Sequence, residues 1–371
     1  MKVVFAAGGT GGHINPALAA AGELRSRYPD AQILFIGTKD KMESKLVPKA
    51  GFDFKTISIS GFQRKLTIKN IGRNIATLRR LAGSGAAVKK ILKEFEPDVV
   101  VGFGGYVSGP VVRTAAKMGI KTAIHEQNAF PGVTNKLLAK KADIVMLSVP
   151  KAQEYLECKN EPIVTGLPVR GEILNADRDF ARAELGLDDK PLIFSFGGSL
   201  GAKTINNSMV NLIAALHDKG VCNFIHGYGQ YGSWVPDALK EKGVDIEKEK
   251  NVDVREYVYN MDKCLAAADI IVCRSGASTL SEIEAVGRAS VLIPSPNVAE
   301  NHQYHNAMTL VNAGAARVIE EKDLTDEKLL SVAEELLYDK AKRDEMGRNA
   351  KALAIPDSQE KICDAIISLI G

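Results

Sequence analysis

The sequence predicts an α/β protein made of two Rossmann-like domains, each built on a parallel sheet. Three observations predict it. Short apolar runs alternate with helix-forming stretches along all 371 residues, the pattern of parallel strands joined by helices. Twelve such runs are too many for one compact sheet of ordinary size, and the length suffices for two domains. The chain also echoes itself. Phe5-Ala6-Ala7-Gly8-Gly9-Thr10-Gly11-Gly12 resembles Phe194-Ser195-Phe196-Gly197-Gly198-Ser199-Leu200-Gly201. A repeat this long suits two related domains, not a solenoid. Ligands of open α/β sheets sit at the carboxyl ends of strands, so the two loops are expected to face one cleft.

In order, strands are expected near Lys2–Ala7, Gln32–Gly37, Phe54–Ile59, Asp98–Phe103, Lys121–His125 and Asp143–Leu147. A second set is expected near Leu192–Phe196, Asn223–His226, Val252–Val254, Ile270–Cys273, Ser290–Ile293 and Ala316–Ile319. The stretch Pro162–Arg170, punctuated by Gly166, Pro162 and Pro168, reads as the boundary. The expected division is 1–165, then 166–357, with a last helix at 358–371 that packs back on the first domain.

Composition bounds the function. Apolar residues make up 45% and charged residues 25%, as in ordinary globular proteins. The net charge of +3 is unevenly spread. Residues 1–165 hold 25 Lys+Arg against 13 Asp+Glu, a surplus of 12, so the rest of the chain carries −9. The first half is therefore expected to meet an anionic partner. Much of the surplus lies in 62–93, which has nine bases, no acid and interleaved apolar side chains. That pattern suits an anionic membrane surface. Its single aromatic, Phe62, argues against a base-stacking platform, so no nucleic acid is expected. Five scattered cysteines point to a reducing compartment and away from structural zinc. No signal peptide and no membrane-spanning run is read, so membrane contact is expected to be peripheral.

Three glycine clusters follow strands and open helices: Gly8–Gly12, Gly102–Gly109 and Gly197–Gly201. Glycines let the backbone approach a ligand, and a helix N-terminus favours an anion. The second-half loop is the stronger anion site, because Ser199 adds a hydroxyl. It falls one residue short of a P-loop, with Ala202 in place of the second glycine, which argues against a triphosphate hydrolase. His13 adds an ionisable group to the first loop and suggests proton transfer. The expectation is that two of these loops each serve a pyrophosphate. His125-Glu126-Gln127-Asn128 ends a strand, where Asn128 suits sugar hydroxyls. Glu282, in the helix after Cys273–Gly276, can accept both hydroxyls of a ribose. Ala299–Asn306 carries amides and a carboxylate suited to a sugar, while His302-x-x-His305 lacks a third metal ligand. Asp177-Arg178-Asp179 resembles the cation-binding pair of many sugar-nucleotide transferases, but its place at a helix start is the simpler explanation. No metal and no cofactor is expected.

Seven motifs in fixed order carry a family resemblance: Gly8–His13, Gly102–Pro110, His125–Asn128, Gly166–Arg170, Gly197–Ala202, Arg274–Glu282 and Glu300–Gln303. Over essentially its whole length the chain resembles the MurG family, the UDP-N-acetylglucosamine:lipid I N-acetylglucosaminyltransferases of bacterial peptidoglycan synthesis. The resemblance implies a GT-B fold, two Rossmann-like domains facing across a cleft. It implies an inverting, metal-independent enzyme at the cytoplasmic face of the cell membrane. N-Acetylglucosamine would pass from UDP to the C4 hydroxyl of the muramoyl sugar of lipid I, giving lipid II.

By the same resemblance, His13 is the candidate base. Thr10, Gly11, Gly12 and Asn128 reach the transferred sugar from the first domain, and Gln303 holds it in the second. Ser199 meets the donor phosphates, Arg170 lies by the donor, Glu282 takes the ribose and Val258 binds uracil through its backbone. The first loop then forms the acceptor-side wall, its N–H groups open to the acceptor's pyrophosphate. Leu200, Leu167 and His302 depart from the family pattern. The rival reading is a related GT-B enzyme, a UDP-GlcNAc 2-epimerase or a diacylglycerol glucosyltransferase.

Overall fold

A computed structural model of the chain describes residues 1–59 and 84–370. The residues divide into two compact units. Unit 1 comprises Met1–Pro168 and Asp357–Gly371, and unit 2 comprises Val169–Pro356. The α/β reading with two parallel-sheet domains is borne out.

Unit 1 carries seven strands: β1 Lys2–Ala7, β2 Gln32–Gly37, β3 Asp53–Thr56, β4 Val99–Gly104, β5 Lys121–Glu126, β6 Ile144–Leu147 and β7 Ile163–Val164. Their order is β3-β2-β1-β4-β5-β6-β7, and every pairing is parallel. β7 was not expected. Its two residues lie in the stretch read as the boundary, too short to show a pattern of their own. The third strand begins and ends earlier than expected, at Asp53 and Thr56.

The near-continuous apolar runs of β1 and β4 follow from burial on both faces. Val3, Phe5 and Ala7 enter one cluster with Val99, Val101 and Phe103, while Val4 and Ala6 enter another with Val100. Phe5 stacks on Phe35 with ring centroids 5.2 Å apart, across the Phe5–Phe35 register of β1 and β2. The last helix, Ser358–Ile367, belongs to unit 1. Its Ile362, Cys363 and Ile366 join the cluster of Val3, Phe5, Ala17 and Leu24, and Arg27 pairs with Asp364 at 2.7 Å. Each such buried isoleucine contributes about 1.5–3 kcal/mol.

Unit 2 repeats the plan with β8 Leu192–Phe196, β9 Asn223–Gly227, β10 Val252–Arg255, β11 Ile270–Cys273, β12 Ala289–Leu292 and β13 Ala316–Val318. The order is β10-β9-β8-β11-β12-β13, again wholly parallel. In both sheets the second and third strands lie to one side of the first and the fourth, β4 or β11, crosses to its other side, which creates the reversal point where α/β sheets bind ligands. The basic stretch read at 62–93 lies mostly outside the described residues. Of its remainder, 84–93 is helical, with Val88 and Leu92 buried and Lys89, Lys90 and Lys93 exposed.

Candidate functional site

In unit 1 the site forms where β1, β4 and β5 end. The glycine run after β1 is not all turn: the helix Gly11–Arg27 begins within it. His13 is therefore the third residue of a helix, not a residue on the lip of a turn. Thr10 precedes that helix in extended conformation, and its carbonyl accepts from the His13 and Ile14 N–H groups. Among the described residues, the N–H groups of Thr10, Gly11 and Gly12 have no partner.

Gly9 differs. Its N–H donates to Oε2 of Glu43 at 3.1 Å. Glu43 is fully buried and also accepts from the Thr38 N–H at 3.0 Å and the Thr38 hydroxyl at 2.6 Å. One donor of the first loop is thus taken by a carboxylate. The expectation that the loop's N–H groups all lie open to a phosphate is corrected at this residue. The glycines of the third cluster have packing reasons. A Cβ at Gly104, where φ is +99°, would lie 2.7 Å from His13 Nδ1. A Cβ at Gly102 would meet Ser108 and Val112, and one at Gly105 the Gly8 carbonyl. Close packing accounts for these glycines, Gly104 and Gly105 against the first loop and its helix and Gly102 against the helix Gly105–Lys117.

His13 Nδ1 lies 3.0 Å from Gln127 Oε1. Burial lowers the His13 pKa below 6.5, partly offset by hydrogen bonds to Gln127 and the Phe103 carbonyl. Gln127 in turn donates to the Phe103 carbonyl at 2.9 Å. His125 is fully buried, and burial holds its pKa down at about 4. Glu126 folds the loop after β5 around itself. It accepts from the Asn128 N–H at 2.9 Å, the Asn128 amide at 3.2 Å, the Gly132 N–H at 3.2 Å and Asn135 at 2.8 Å. Burial raises its pKa, and these donors pull the other way.

In unit 2, β8 runs into Gly197–Ala202 and the helix Lys203–Leu216. Ser199 is exposed. The Ser199 and Leu200 carbonyls accept from the N–H groups of Gln230 and Tyr231. This turns the loop's carbonyls away and leaves the N–H groups of Ser199, Leu200, Ala202 and Lys203 without a partner among the described residues. A concave row of such donors at a helix start is an anion site. Thr204 donates to Glu321, which also pairs with Arg274 at 2.7 Å.

Arg170 and Glu282 come together, Nη2 to Oε1 at 3.3 Å. Burial raises the Glu282 pKa, and Arg170 opposes that. Val258 buries its side chain between two exposed tyrosines, Tyr257 and Tyr259. Its backbone N–H and carbonyl have no partner among the described residues, which suits the edge of a base. Gln303 Oε1 accepts from the Ser295 N–H at 2.8 Å, so only its NH2 is left to meet a ligand. Just before it, Glu300 and Asn301 both hold positive φ, 51° and 48°. Two consecutive side-chain-bearing residues in that region store strain of about 1–3 kcal/mol each, which is characteristic of sites.

The glycosyltransferase family 28 N-terminal domain matches residues 3–147, and the corresponding C-terminal domain matches 192–362. The chain belongs to glycosyltransferase family 28. Two curated relatives share one name, UDP-N-acetylglucosamine--N-acetylmuramyl-(pentapeptide) pyrophosphoryl-undecaprenol N-acetylglucosamine transferase. The protein of Thermoanaerobacter sp. (strain X514) is 46% identical, with all of both chains covered. That of Acetivibrio thermocellus is 42% identical, covering 99% of this chain and 97% of its own. Among solved structures, MurG of Acinetobacter baumannii matches with a TM-score of 0.81 and 30% identity over 99% of each chain.

The structure brings out residues that the motifs did not single out. Gln127 stood in a noted run, but its contact with His13 spans 114 positions and left no local pattern. Glu43 and Glu321 carried no sequence signal. Two other suggestive groups have ordinary partners. Asp177 caps the helix Arg178–Glu184 by accepting from the Phe180 N–H at 2.8 Å. His302 uses Nδ1 to donate to the Ala299 carbonyl at 2.8 Å.

Proposed function

We propose that the chain transfers N-acetylglucosamine from UDP-N-acetylglucosamine to the C4 hydroxyl of the muramoyl sugar of undecaprenyl-pyrophosphoryl-muramoyl-pentapeptide, with inversion. The full-length match to transferases of that name carries the reading. The acceptor hydroxyl attacks the anomeric carbon from the face opposite the phosphate. As the new C–O bond forms, its proton passes to His13 and the bond to UDP breaks. A histidine with its pKa lowered by burial is unprotonated at neutral pH, the state a base requires, and such a base contributes typically about 10²–10⁴-fold.

UDP leaves with added negative charge. The unpartnered N–H groups around Ser199 and the start of the Lys203–Leu216 helix are already aimed to receive it, which stabilises the transition state without a metal. On this reading Arg170 lies by the donor, Glu282 accepts from the ribose, Val258 meets uracil through its backbone and the Gln303 NH2 donates to the sugar. Thr10, Gly11, Gly12 and Asn128 approach the sugar from unit 1. The Asn128 amide NH2 donates to Glu126, which holds the side chain at the end of β5.

Membrane contact at the cytoplasmic face is the remaining part of the reading. Among the described residues, no helix is long and apolar enough to cross a membrane. The helix Val133–Ala139 exposes Val133 and Leu137, one turn apart on the same side. Lys136, Lys140 and Lys141 neighbour them in sequence, with Lys136 over the Phe130 ring and Lys140 paired with Glu157 at 2.7 Å. This apolar, basic surface suits an anionic bilayer and adds to the stretch at 62–93.

Incubation with UDP-N-acetylglucosamine and a lipid I analogue tests the function. UDP release is expected only when both are present, and excess chelator is expected to leave it unchanged. Release of UDP without acceptor would overturn the reading.

A further inference from the structure

Four groups of unit 1 form a single hydrogen-bonded line, and every proton in it can be assigned. The line starts at the Gly166 carbonyl, which can only accept. His125 Nε2 lies 3.0 Å from it, so Nε2 carries the proton and donates. His125 is neutral, with its pKa at about 4, and its Nδ1 must therefore be an acceptor. Gln127 Nε2 lies 3.2 Å from that Nδ1.

The same amide nitrogen lies 2.9 Å from the Phe103 carbonyl and 3.1 Å from the His125 carbonyl. Three acceptors around one end of the Gln127 side chain identify that end as the NH2 group, so the other end is oxygen. That oxygen faces His13 Nδ1 at 3.0 Å. A carbonyl oxygen accepts only, so Nδ1 of neutral His13 must hold the proton. Its Nε2 is then left with a lone pair.

We propose that Gln127, itself oriented by His125 and the Phe103 carbonyl, fixes His13 in the Nδ1–H tautomer and so keeps Nε2 as the atom that takes the acceptor's proton. Gln127 is a positioning residue, since it acts through His13. The proposal rests on the reading of His13 as the base. The device is needed because a neutral imidazole in water favours the proton on Nε2, which would block that atom. His125 is well suited to hold the amide. It is fully buried and lies flat against Phe103, with ring centroids 5.1 Å apart and 14° between planes. Gly166 closes the line two residues before Pro168, the last residue of the segment Met1–Pro168.

Nitrogen NMR of the full chain labelled with ¹⁵N-histidine reads the tautomer directly. The His13 signals are assigned by their loss in His13→Ala. The parent is expected to show His13 protonated on Nδ1 and bare on Nε2, and the opposite assignment overturns the proposal. In Gln127→Leu the proton is expected to move to Nε2. In the same variant kcat is expected to fall on the order of 10²-fold or more, as for other histidine bases held in the wrong tautomer, with KM for UDP-N-acetylglucosamine within two-fold. Gln127→Glu, in its protonated form, keeps an oxygen opposite Nδ1 and an O–H towards the Phe103 carbonyl and His125, and is expected to retain the Nδ1–H tautomer and recover most of the kcat lost in Gln127→Leu.

Equal kcat and an unchanged tautomer in both variants would overturn the proposal. If Gln127→Leu does not fold, the parent and Gln127→Glu spectra still decide. Turnover retained in His13→Ala would remove the catalytic reading instead, and the tautomer measurement stands apart from that outcome.

Discussion

Gly104→Ala places a methyl group against the imidazole of His13. The added Cβ would lie 2.7 Å from Nδ1 and 2.9 Å from Cε1, well inside contact distance. The backbone adds a second penalty, because Gly104 has φ 99° and ψ −172°, a region that only glycine enters freely. The strained backbone costs about 1–3 kcal/mol, and the overpacking about 1–3 kcal/mol more. For a unit of this size each kcal/mol lowers Tm by about 2–4 °C, so a loss of roughly 10 °C is expected.

The fall should reside in unit 1. The only tryptophan, Trp234, lies in unit 2, so its fluorescence reports that unit while far-UV circular dichroism follows both. The dichroism transition is expected to move further than the fluorescence transition. A double-mutant cycle then separates the two penalties. His13→Ala removes the ring, so the steric share of the Gly104→Ala cost should vanish in that background while the backbone share remains. The coupling between the two sites is expected to be about 1–3 kcal/mol, the usual range for residues in contact. If Gly104→Ala stays within about 0.5 kcal/mol of the parent and turns over within two-fold of it, Gly104 does not make room for His13.

Three further outcomes are expected. Ser199→Ala should raise KM for UDP-N-acetylglucosamine roughly ten-fold or more, losing about 1.5–3 kcal/mol for one hydrogen bond to a charged group, which steady-state kinetics will show. Lys136→Glu with Lys140→Glu and Lys141→Glu should weaken sedimentation with anionic vesicles by about 1 kcal/mol per charge and leave neutral vesicles unaffected. The stability that His125 and His226 contribute should fall as pH drops from 6.5 towards 4, while Glu284, raised by burial to about 8, gains over the same range. His125 and His226 are both held neutral by burial with pKa values of about 4, so the unfolded chain binds protons first. Each costs of order 3 kcal/mol below pH 4. Urea titrations of the parent and of His226→Gln isolate the histidine share, and a stability difference between them that does not change across that range would refute the argument.

Much of the fold was legible because parallel strands announce themselves. Val3–Ala7, Leu192–Phe196 and Ile270–Cys273 are buried on both faces, and their apolar runs stand out from the polar stretches around them. β7 was hidden because two residues, Ile163 and Val164, carry no periodicity, and its neighbours Gly166 and Pro168 suggest an interruption. The extent of the first helix was hidden for another reason. Gly11 and Gly12 are poor helix formers, yet the first turn tolerates them because its N–H groups need no intrahelical partner, and Pro16, the sixth residue, stands inside the helix where a sequence reading expects a break. Site residues with local motifs, such as Ser199 and His13, were visible. Those acting from a distance were not: Glu43 reaches Gly9 across 34 positions, and Gln127 reaches His13 across 114.

Glu43 also bears on why two echoing loops should differ in role. Both follow the first strand of a sheet, and both pair glycines with a hydroxyl residue. In unit 2 the open N–H groups around Ser199 have no acid among their protein partners, and the nearby Glu321 is engaged by Thr204 and Arg274. In unit 1 a fully buried carboxylate sits beneath Gly8 and Gly9 and occupies a donor. A second anion placed over that carboxylate would meet repulsion only weakly screened by water. The physical case for putting the leaving diphosphate in unit 2 therefore rests on one acid. Glu43→Gln tests it, since the amide oxygen can still accept from Gly9 while the charge is gone. The expected result is an unchanged KM for UDP-N-acetylglucosamine, and a lower KM for the pyrophosphate-bearing acceptor if that group approaches the first loop. A change confined to the donor KM would place the diphosphate in unit 1 and refute the assignment.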